Sequence, residues 1–539
     1  MRSGAALLHG TRALRGTPDH AAGGVAIRAM GRQGIATKGL RDRVQPGEPA
    51  PGIVALGRRA LHGLIWMLAQ NLVARASSVF SQLVLAALLQ PADFGIIGLT
   101  YTVTNIAAAL TNVGLDDVVL QRERALRLWL GPAFWISLSL GMAAGLLVVA
   151  VSPLAAAIYK APELIGLLAI LALAMPIGAL GNVPAMVLRA RMQFGALAIY
   201  GTFETVAQVL MTVALAWYGF GAYSFVLPGP VVAALRAVVL WRLAATKPDL
   251  RPQRERWKYV IGNTTVNFAN RVLTSLINQG DYIVLGLVGT QAAVGVYYFG
   301  FRLAAQPLWT LAGNFSNVLY PALVQMKSDP ERQSRAVLNA ATLLSFCVMP
   351  VALLQSAVAE PLIARFFDHR WAASIPIIQL LSIGLAFDAT SWVAGALLSA
   401  RGEFRAGLRY AVLQMPAFFV LVTLGALLHE AIGVAWAVCA FYAVTQPIYV
   451  FRVFRRIKLT AWQVALMYLQ PGAYAAAAMG VGLAVAALPS LADAPLLRAV
   501  VTGAVGLPLY AALVRWQAPA VWGALRDRVA AALRRRVVA

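Results

Sequence analysis

The chain has 539 residues, of which 60% are hydrophobic and only 12% are charged. Its mean hydropathy of +0.72 excludes a water-soluble domain and predicts an all-α polytopic membrane protein. The formal net charge of +24 does not indicate nucleic-acid binding, because the basic residues collect in loops between apolar segments, where they act as topology signals.

About fourteen apolar segments are long enough to cross a bilayer, which takes roughly 20 residues. Four of them contain no charged side chain at all: 132–158, 164–187, 337–358 and 431–451. In chain order, the predicted spans are 62–88, 94–119, 132–158, 164–187, 196–217, 222–241, 259–288, 293–321, 337–358, 374–398, 408–428, 431–451, 462–488 and 496–514.

Lysine and arginine are sorted between the two sides of the predicted membrane. One set of loops contains Arg122, Arg189 and the cluster from Arg242 to Lys258, whereas the opposite set carries only Lys160, Arg365, Arg370 and Arg498. Basic residues are retained on the cytoplasmic side. The sequence therefore predicts that both termini are cytoplasmic.

The two ends of the chain differ from its apolar body. Residues 1–55 are rich in Arg, Gly and Ala and lack the continuous apolar core of a signal peptide. We expect a disordered basic cytoplasmic tail there, or a protein whose start is Met30, and a second basic cytoplasmic tail at 516–539. Cys347 and Cys439 fall inside predicted spans, so we expect neither a disulfide framework nor a metal site.

Sequence similarity within the chain indicates a duplication. At an offset of 200, Val84, Leu85, Ala92, Gly95 and Val118 match Val284, Leu285, Ala292, Gly295 and Val318. At an offset of 210, Leu188, Ala190, Arg191, Phe194, Ala196 and Tyr200 match Leu398, Ala400, Arg401, Phe404, Ala406 and Tyr410. We therefore predict two six-helix halves, 56–245 and 246–458, followed by two extra helices in 459–515.

The two predicted halves start on the same side of the membrane. The repeat is therefore parallel, about an axis along the membrane normal. Carriers with such repeats alternate access to a site between the halves, so the sequence predicts a transporter with a central cavity.

Arginines within predicted spans point to the cargo. Arg75 is central in span 1 and Arg271 in span 7, with Arg302 in span 8 as a third candidate. Arginine at a helix centre is costly and normally faces a wet interior, so each of these residues either lines a pathway or forms a structural pair. Guanidinium groups match phosphate oxygens, so we predict an anion-binding cavity with amides around it: Asn71, Asn263, Asn267, Asn270, Asn278 and Gln279.

Three acidic residues also lie within predicted spans: Glu204, Asp281 and Asp388. Each of them either binds H⁺ or Na⁺ to couple transport to an ion gradient, or neutralises a nearby arginine. Nucleotide binding as the direct energy source is not expected, because the chain contains no Gly-x-x-x-x-Gly-Lys-Ser/Thr loop.

The stretch from Arg75 to Arg122 carries a family resemblance. It contains a leucine-rich helix end, then Leu-x-Pro-x-Asp-Phe-Gly, and closes on Gly-Leu and Gln-Arg, formed here by Leu89, Pro91, Asp93, Phe94, Gly95, Gly114, Leu115, Gln121 and Arg122. The pattern resembles the polysaccharide-transporter branch of the multidrug/oligosaccharidyl-lipid/polysaccharide flippase superfamily. The turn Ala400-Arg401-Gly402-Glu403-Phe404 is also similar to this family.

The resemblance implies a flippase in the bacterial inner membrane. Such a protein moves undecaprenyl-diphosphate-linked oligosaccharide repeat units from the inner to the outer leaflet during exopolysaccharide, capsule or O-antigen synthesis. The partners implied are the lipid-linked oligosaccharide, membrane lipids, and a polysaccharide polymerase and chain-length regulator. In that setting we expect Arg75, Arg271 and Arg302, with Asn71 and Asn267, to contact the diphosphate, and we expect no cofactor.

Two other functions remain open at this point. One is another cargo within the superfamily, either the peptidoglycan-precursor lipid or a drug, and a cationic drug would favour an acidic cavity. The other is a membrane polysaccharide polymerase or glycosyltransferase, which needs catalytic residues in external loops. The largest such loop, 359–371, offers only Glu360, Arg365, Asp368, His369 and Arg370. We therefore predict that the protein is not an enzyme.

Overall fold

The computed structural model describes residues 53–111, 126–191, 193–245, 255–367, 369–489 and 494–527. These residues are almost entirely helical, and no strand occurs among them. Residues 60–539 form one compact unit. Most of the two predicted basic tails lies outside the described residues.

Besides a helical stretch at 519–527, the described residues contain fifteen α-helices. They are α1 (Ile53–Leu88), α2 (Pro91–Thr111), α3 (Leu126–Ile158), α4 (Glu163–Leu180), α5 (Asn182–Ala190), α6 (Phe194–Trp217), α7 (Tyr223–Val226), α8 (Pro228–Ala244), α9 (Glu255–Val288), α10 (Gln291–Gln325), α11 (Pro330–Phe366), α12 (Ser374–Arg401), α13 (Phe404–Phe454), α14 (Ala461–Ala486) and α15 (Pro495–Gln517). A short 3-10 turn, His369–Trp371, precedes α12.

Helix α13 is a hairpin rather than one rod. Its backbone is non-helical at His429 and Glu430. On the two sides of this break Tyr410 packs against Tyr449, with ring centroids 5.1 Å apart, and Phe418 against Phe441, at 4.9 Å. Both pairs are equidistant from the break along the chain, so α13 consists of two antiparallel arms that correspond to predicted spans 408–428 and 431–451.

Ten helical segments of the described residues combine the length and apolarity that a membrane span needs, and the hairpin is one of them. The all-helical membrane architecture predicted from the sequence is therefore confirmed. Helices α2, α9 and α10 are not among the ten, although α9 has 34 residues and α10 has 35. The count of fourteen spans stays a prediction.

The predicted repeat returns at two helix junctions. The residue before α6, Gln193, has φ −84° and ψ 51°, and its counterpart before α13, Glu403, has φ −85° and ψ 47°. The backbone N–H of each donates to the leucine five residues earlier over 2.9 Å. At the ends of α1 and α9 the Leu89 and Gly289 N–H groups likewise donate, over 2.8 Å, to the carbonyl four residues earlier. Equivalent sequence therefore builds equivalent turns, while the boundaries 56–245 and 246–458 stay predictions.

The directions of α2, α9 and α10 establish the orientation of the repeat. Leu99 of α2 lies against Gly286 of α9, and the Ser275 hydroxyl of α9 donates to the Asn105 carbonyl of α2 over 3.4 Å. Helix α2 is therefore antiparallel to α9. Because a two-residue turn makes α9 antiparallel to α10 as well, α2 and α10 run in the same direction, as a parallel repeat requires.

Helices α2 and α10 cross at the repeat-related pair Gly95 and Gly295. A Cβ on Gly95 would collide with the Gln291 carbonyl, and a Cβ on Gly295 would collide with the Pro91 carbonyl. These clashes are with backbone atoms, so only glycine allows the two helices to approach this closely. Each half thus contributes the same residue to a reciprocal contact between the halves.

Aromatic side chains close the same end of the bundle. The Phe94 ring lies 5.0 Å from the Trp371 ring, and the Phe299 ring lies 4.4 Å from it. The Trp371 indole N–H donates to the Ala86 carbonyl of α1 over 2.9 Å. This end, at which α1 finishes and α2 and α10 begin, is called the closed end below. The sorting of lysine and arginine predicts that it faces outward.

Helices α14 and α15 pack on α11. The Tyr510 hydroxyl of α15 donates to the Phe346 carbonyl over 2.8 Å, and the Ser345 hydroxyl donates to the Met467 carbonyl of α14 over 2.6 Å. These two helices therefore pack on the outside of the bundle, and the α2–α10 crossing is formed by the predicted halves.

Candidate substrate cavity

Two cavities within the bundle meet at one arginine. The first has a volume of about 760 Å³ and lies mainly among α9, α10, α12 and α13. The second has about 350 Å³ and lies among α1, α2, α6 and α8. Tyr101 and Arg302 line both. The two volumes fall within the roughly 300–1,000 Å³ that small-molecule sites occupy.

The first cavity extends from the closed end toward the opposite end of the bundle. Tyr282 and Tyr298 line it near the closing contacts, and Gly407 lines it close to the first residue of α13. If the closed end faces outward, as predicted, this cavity reaches toward the cytoplasm.

Arg302 is held by a tyrosine of its own helix. Its Nη1 donates to the Tyr298 hydroxyl over 2.9 Å, and its guanidinium carbon lies 5.5 Å from the Tyr298 ring centroid. Side chains four residues apart lie on one helix face, which explains the pairing. Within the described residues Arg302 forms no ion pair. A guanidinium has five N–H donors, so most of its capacity remains for an anion.

Arg75 lies beside the second cavity. Its Nη1 donates to Gln306 over 3.3 Å, and the Gln306 amide donates to the Ser78 hydroxyl over 3.2 Å. Ala74 and Ser78 line the second cavity, whereas Arg75 does not. Within the part of the chain that the structure describes, the partner of Arg75 is therefore a neutral amide and no ion pair compensates its positive charge.

The other predicted anion-binding residues lie apart from Arg302. The side chain of Arg271 is exposed, and its neighbour Asn270 lines the first cavity instead. Successive helical residues point about 100° apart, and Arg271 lines neither cavity. Asn71 is exposed on α1, and the side chain of Asn267 lies outside the described residues. The structure thus does not bring Arg75 and Arg271 together on one cavity wall, and the arginine in the shared wall is Arg302.

The three predicted acidic residues have different partners. Glu204 lines the second cavity and faces Arg236 of α8, with 4.0 Å between Oε1 and Nη1. Asp281 is 2% exposed and accepts hydrogen bonds from the Tyr297 hydroxyl at 2.8 Å and the Tyr282 N–H at 2.9 Å. Glu204 therefore lies at ion-pairing distance from an arginine, and Asp281 joins α9 to α10.

Asp388 is the acid of the first cavity. Its carboxylate accepts hydrogen bonds from the Ser391 hydroxyl at 2.6 Å and from the Trp392 indole N–H at 3.1 Å. The other two predicted acids do not line this cavity. Asp388 thus lines the cavity and accepts hydrogen bonds from two side chains of its own helix.

The wall of the first cavity contains aromatic and amide groups that sequence reasoning identified only in part. Asn270, Asn278 and Gln279, which the sequence predicts as amides around the cavity, line it. No sequence motif predicts the further lining residues on other helices: Tyr101, Asn105, Trp309, Trp392, Gln414 and Gln446. They come from four different helices, so no motif spacing connects them.

Comparison with known proteins identifies the family of this chain. Residues 84–376 match the family described as "Polysaccharide biosynthesis protein", which is more than half of the chain. The chain is 26% identical, over 69% of its length and 75% of the relative's, to "Succinoglycan biosynthesis transport protein ExoT" of Rhizobium meliloti (strain 1021). It is 21% identical, over 71% and 78%, to "Lipopolysaccharide biosynthesis protein WzxC" of Escherichia coli (strain K12).

A solved structure shares the fold. "Lipid II flippase MurJ, inward closed conformation" superimposes with a TM-score of 0.66 over 84% of this chain and 99% of the other, at 14% identity. At that identity the likeness concerns the fold alone.

Proposed function

Because the chain belongs to the polysaccharide biosynthesis protein family, we propose that it is a flippase for undecaprenyl-diphosphate-linked oligosaccharide repeat units. It moves them from the inner to the outer leaflet for exopolysaccharide, capsule or O-antigen synthesis. The observation that carries this proposal is Arg302, a guanidinium without an ion pair among the described residues, in the wall shared by two cavities. A diphosphate presents the oxygen pairs that a guanidinium binds bidentately.

Alternating access follows from the repeat. With the closed end outward, the first cavity receives the lipid headgroup from the cytoplasmic side. Separation of α2 from α10 at the Gly95–Gly295 crossing, with approach of the halves at the opposite end, turns Arg302 toward the outer leaflet. The diphosphate binds the same residue throughout, as in carriers whose halves rock around a fixed site.

The remaining predicted residues have subordinate roles in this proposal. Arg75 adds positive potential next to the second cavity through its contact with Gln306. Asp388, as the carboxylate of the first cavity, is the candidate for coupling to H⁺ or Na⁺. A polymerase and a chain-length regulator would use the product on the outer face of a bacterial inner membrane, with both termini of this protein in the cytoplasm.

The test of this function is deletion followed by complementation with Arg302 variants. Deletion should leave lipid-linked repeat units assembled in the inner leaflet and remove the surface polymer. Arg302→Ala removes a charge-assisted contact worth about 1.5–3 kcal/mol and should lower surface polysaccharide roughly ten- to a hundredfold. Arg302→Lys should rescue partly, because it restores the charge without the planar fork. Output is normalised to folded protein in the membrane.

Three outcomes contradict the proposal. Unchanged surface polysaccharide in the deletion strain, with no second flippase, refutes it. Loss of peptidoglycan synthesis instead points to the cell-wall precursor lipid as cargo. Unpolymerised repeats that reach the outer leaflet point to a polymerase. Arg526→Ala is the matched control, since Arg526 pairs with Asp527 near the chain terminus, over 3.2 Å between Nη2 and Oδ1, and lines neither cavity.

A further inference from the structure

We infer that the first cavity is a glycan-binding subsite that selects the sugar part of the substrate. The inference rests on the proposed function and adds that the larger cavity binds the glycan of the substrate. A diphosphate that binds Arg302 carries one substituent on each side, the prenyl chain and the glycan. The two cavities that meet at Arg302 therefore adjoin the two sides of the diphosphate.

The wall of the larger cavity has the chemistry that sugars require. Sugar hydroxyls both donate and accept hydrogen bonds, and carboxamides offer both functions on one group. Amides enter from α2, α9 and both arms of α13: Asn105, Asn278, Gln279, Gln414 and Gln446. The flat faces of a pyranose ring carry C–H groups, which pack on the negative face of an aromatic ring. Tyrosine and tryptophan rings line the same wall.

Two contacts fix the position of the Trp392 ring. Its indole N–H donates to Asp388, and its Cζ3 edge lies 3.6 Å from the position that a Cβ on Gly313 would take. Asp388 is in turn held by Ser391. Asp388 is therefore a positioning residue for the indole. A ring fixed in advance loses little rotational freedom when a ligand stacks on it.

Trp309 and Tyr449 present aromatic groups from other helices. Trp309 of α10 packs 6.3 Å from the Phe301 ring, and Tyr449 of α13 packs 5.1 Å from Tyr410 in an edge-on pair. All four residues line the cavity. Several platforms spread over several helices suit a ligand of more than one ring.

Other ligands fit this wall less well. A prenyl chain would leave the amides without hydrogen bonds, which is costly. A cationic drug would meet one carboxylate that already accepts two hydrogen bonds, together with the positive charge of Arg302. Because Arg302 is the cavity's one lysine or arginine among the described residues, the cavity fits neutral rather than strongly acidic sugars.

Binding of two lipids to the full-length protein in nanodiscs tests the inference. The probes are undecaprenyl diphosphate and the undecaprenyl-diphosphate-linked oligosaccharide extracted from the deletion strain, with Kd values from native mass spectrometry. Wild type should bind the glycosylated lipid more tightly. Trp309→Ala and Trp392→Ala should each reduce this preference about two- to tenfold and leave affinity for undecaprenyl diphosphate unchanged. Trp436→Ala, on α13 at a side chain that is 60% exposed and outside the cavity, is the matched control.

The outcomes separate this inference from the proposed function. Equal wild-type affinity for the two lipids, or variants that retain the preference, refutes the subsite while flipping remains possible. Wild-type protein that binds neither lipid refutes both. Trp392→Phe keeps an aromatic face and should retain most of the preference, whereas Trp392→Leu should not. This pair provides the same comparison if an alanine variant fails to fold.

Discussion

Arg75 and Arg302 are both guanidinium groups inside the bundle, but their surroundings assign them different tasks. Arg302 is fixed by Tyr298 at the wall that the two cavities share. Arg75 reaches across from α1 to the neutral amide of Gln306 on α10. The first arrangement leaves a positive charge in the wall of both cavities, while the second joins two helices.

Alanine variants of Arg75 and Arg271 should differ in the amount of surface polysaccharide that they support. Arg75→Ala should reduce normalised surface polysaccharide more than Arg271→Ala, because Arg75 contacts the helix that carries Arg302 and the side chain of Arg271 is exposed. Arg302→Ala should reduce it most. The three variants are compared in one deletion strain. Equal tenfold or larger losses for Arg75→Ala and Arg271→Ala would instead favour the two-arginine clamp predicted from the sequence.

Among the helices, α2 and α10 have the decisive contact. They cross at Gly95 and Gly295, with backbone carbonyls where side chains would otherwise be. Phe94, Phe299 and Trp371 cover the same end. Two glycines and a small aromatic cluster thus form the contacts at this end, and the proposed alternating access requires both sets of contacts to separate.

A side chain at the crossing should therefore open the closed end. Gly295→Val places methyl groups against the Pro91 carbonyl. Overpacking of this kind costs about 1–3 kcal/mol, which shifts a two-state equilibrium roughly five- to 150-fold. In a background with Cys347 and Cys439 replaced, a cysteine at Phe94 should gain reactivity with a membrane-impermeant maleimide added outside.

The control for this experiment is Gly480→Val on α14, where nothing lies within 4 Å of an added Cβ. It should leave the labelling rate at Phe94→Cys unchanged. Labelling that is the same in Gly295→Val and wild type would show that this crossing does not hold the closed end.

The two halves of the molecule run in the same direction, and α14 and α15 lie outside the α2–α10 crossing. Tyr510 and Ser345 anchor α14 and α15 to α11. In the proposed alternating-access cycle the two halves are the moving parts, whereas α14 and α15 enlarge one side of the bundle.

Reporter fusions test the predicted side of the membrane for each loop. Reporter fusions after Ile158 and after Phe367 should report the outer face, because α3 ends at Ile158 and the turn after α11 follows Phe366. Fusions near Arg254 and Arg455 should report the cytoplasm, where basic residues are retained. Alkaline phosphatase and green fluorescent protein fusions measure the two sides. A cytoplasmic signal after Phe367 would reverse the direction in which the closed end faces.

Apolar length and repeated motifs are local properties of the chain, so the amino-acid sequence predicts the membrane class, most helix positions, the parallel repeat and the family. Of the predicted cavity residues, Arg302, Asn270 and Asn278 line the first cavity, whereas Arg75 and Arg271 do not. Which polar face turns inward depends on the tertiary structure. Gln306 contacts Arg75 and Ser78 on another helix, and Trp392 lines a cavity that five helices enclose. Local spacing encodes a helix face, but the wall opposite that face depends on how distant helices cross.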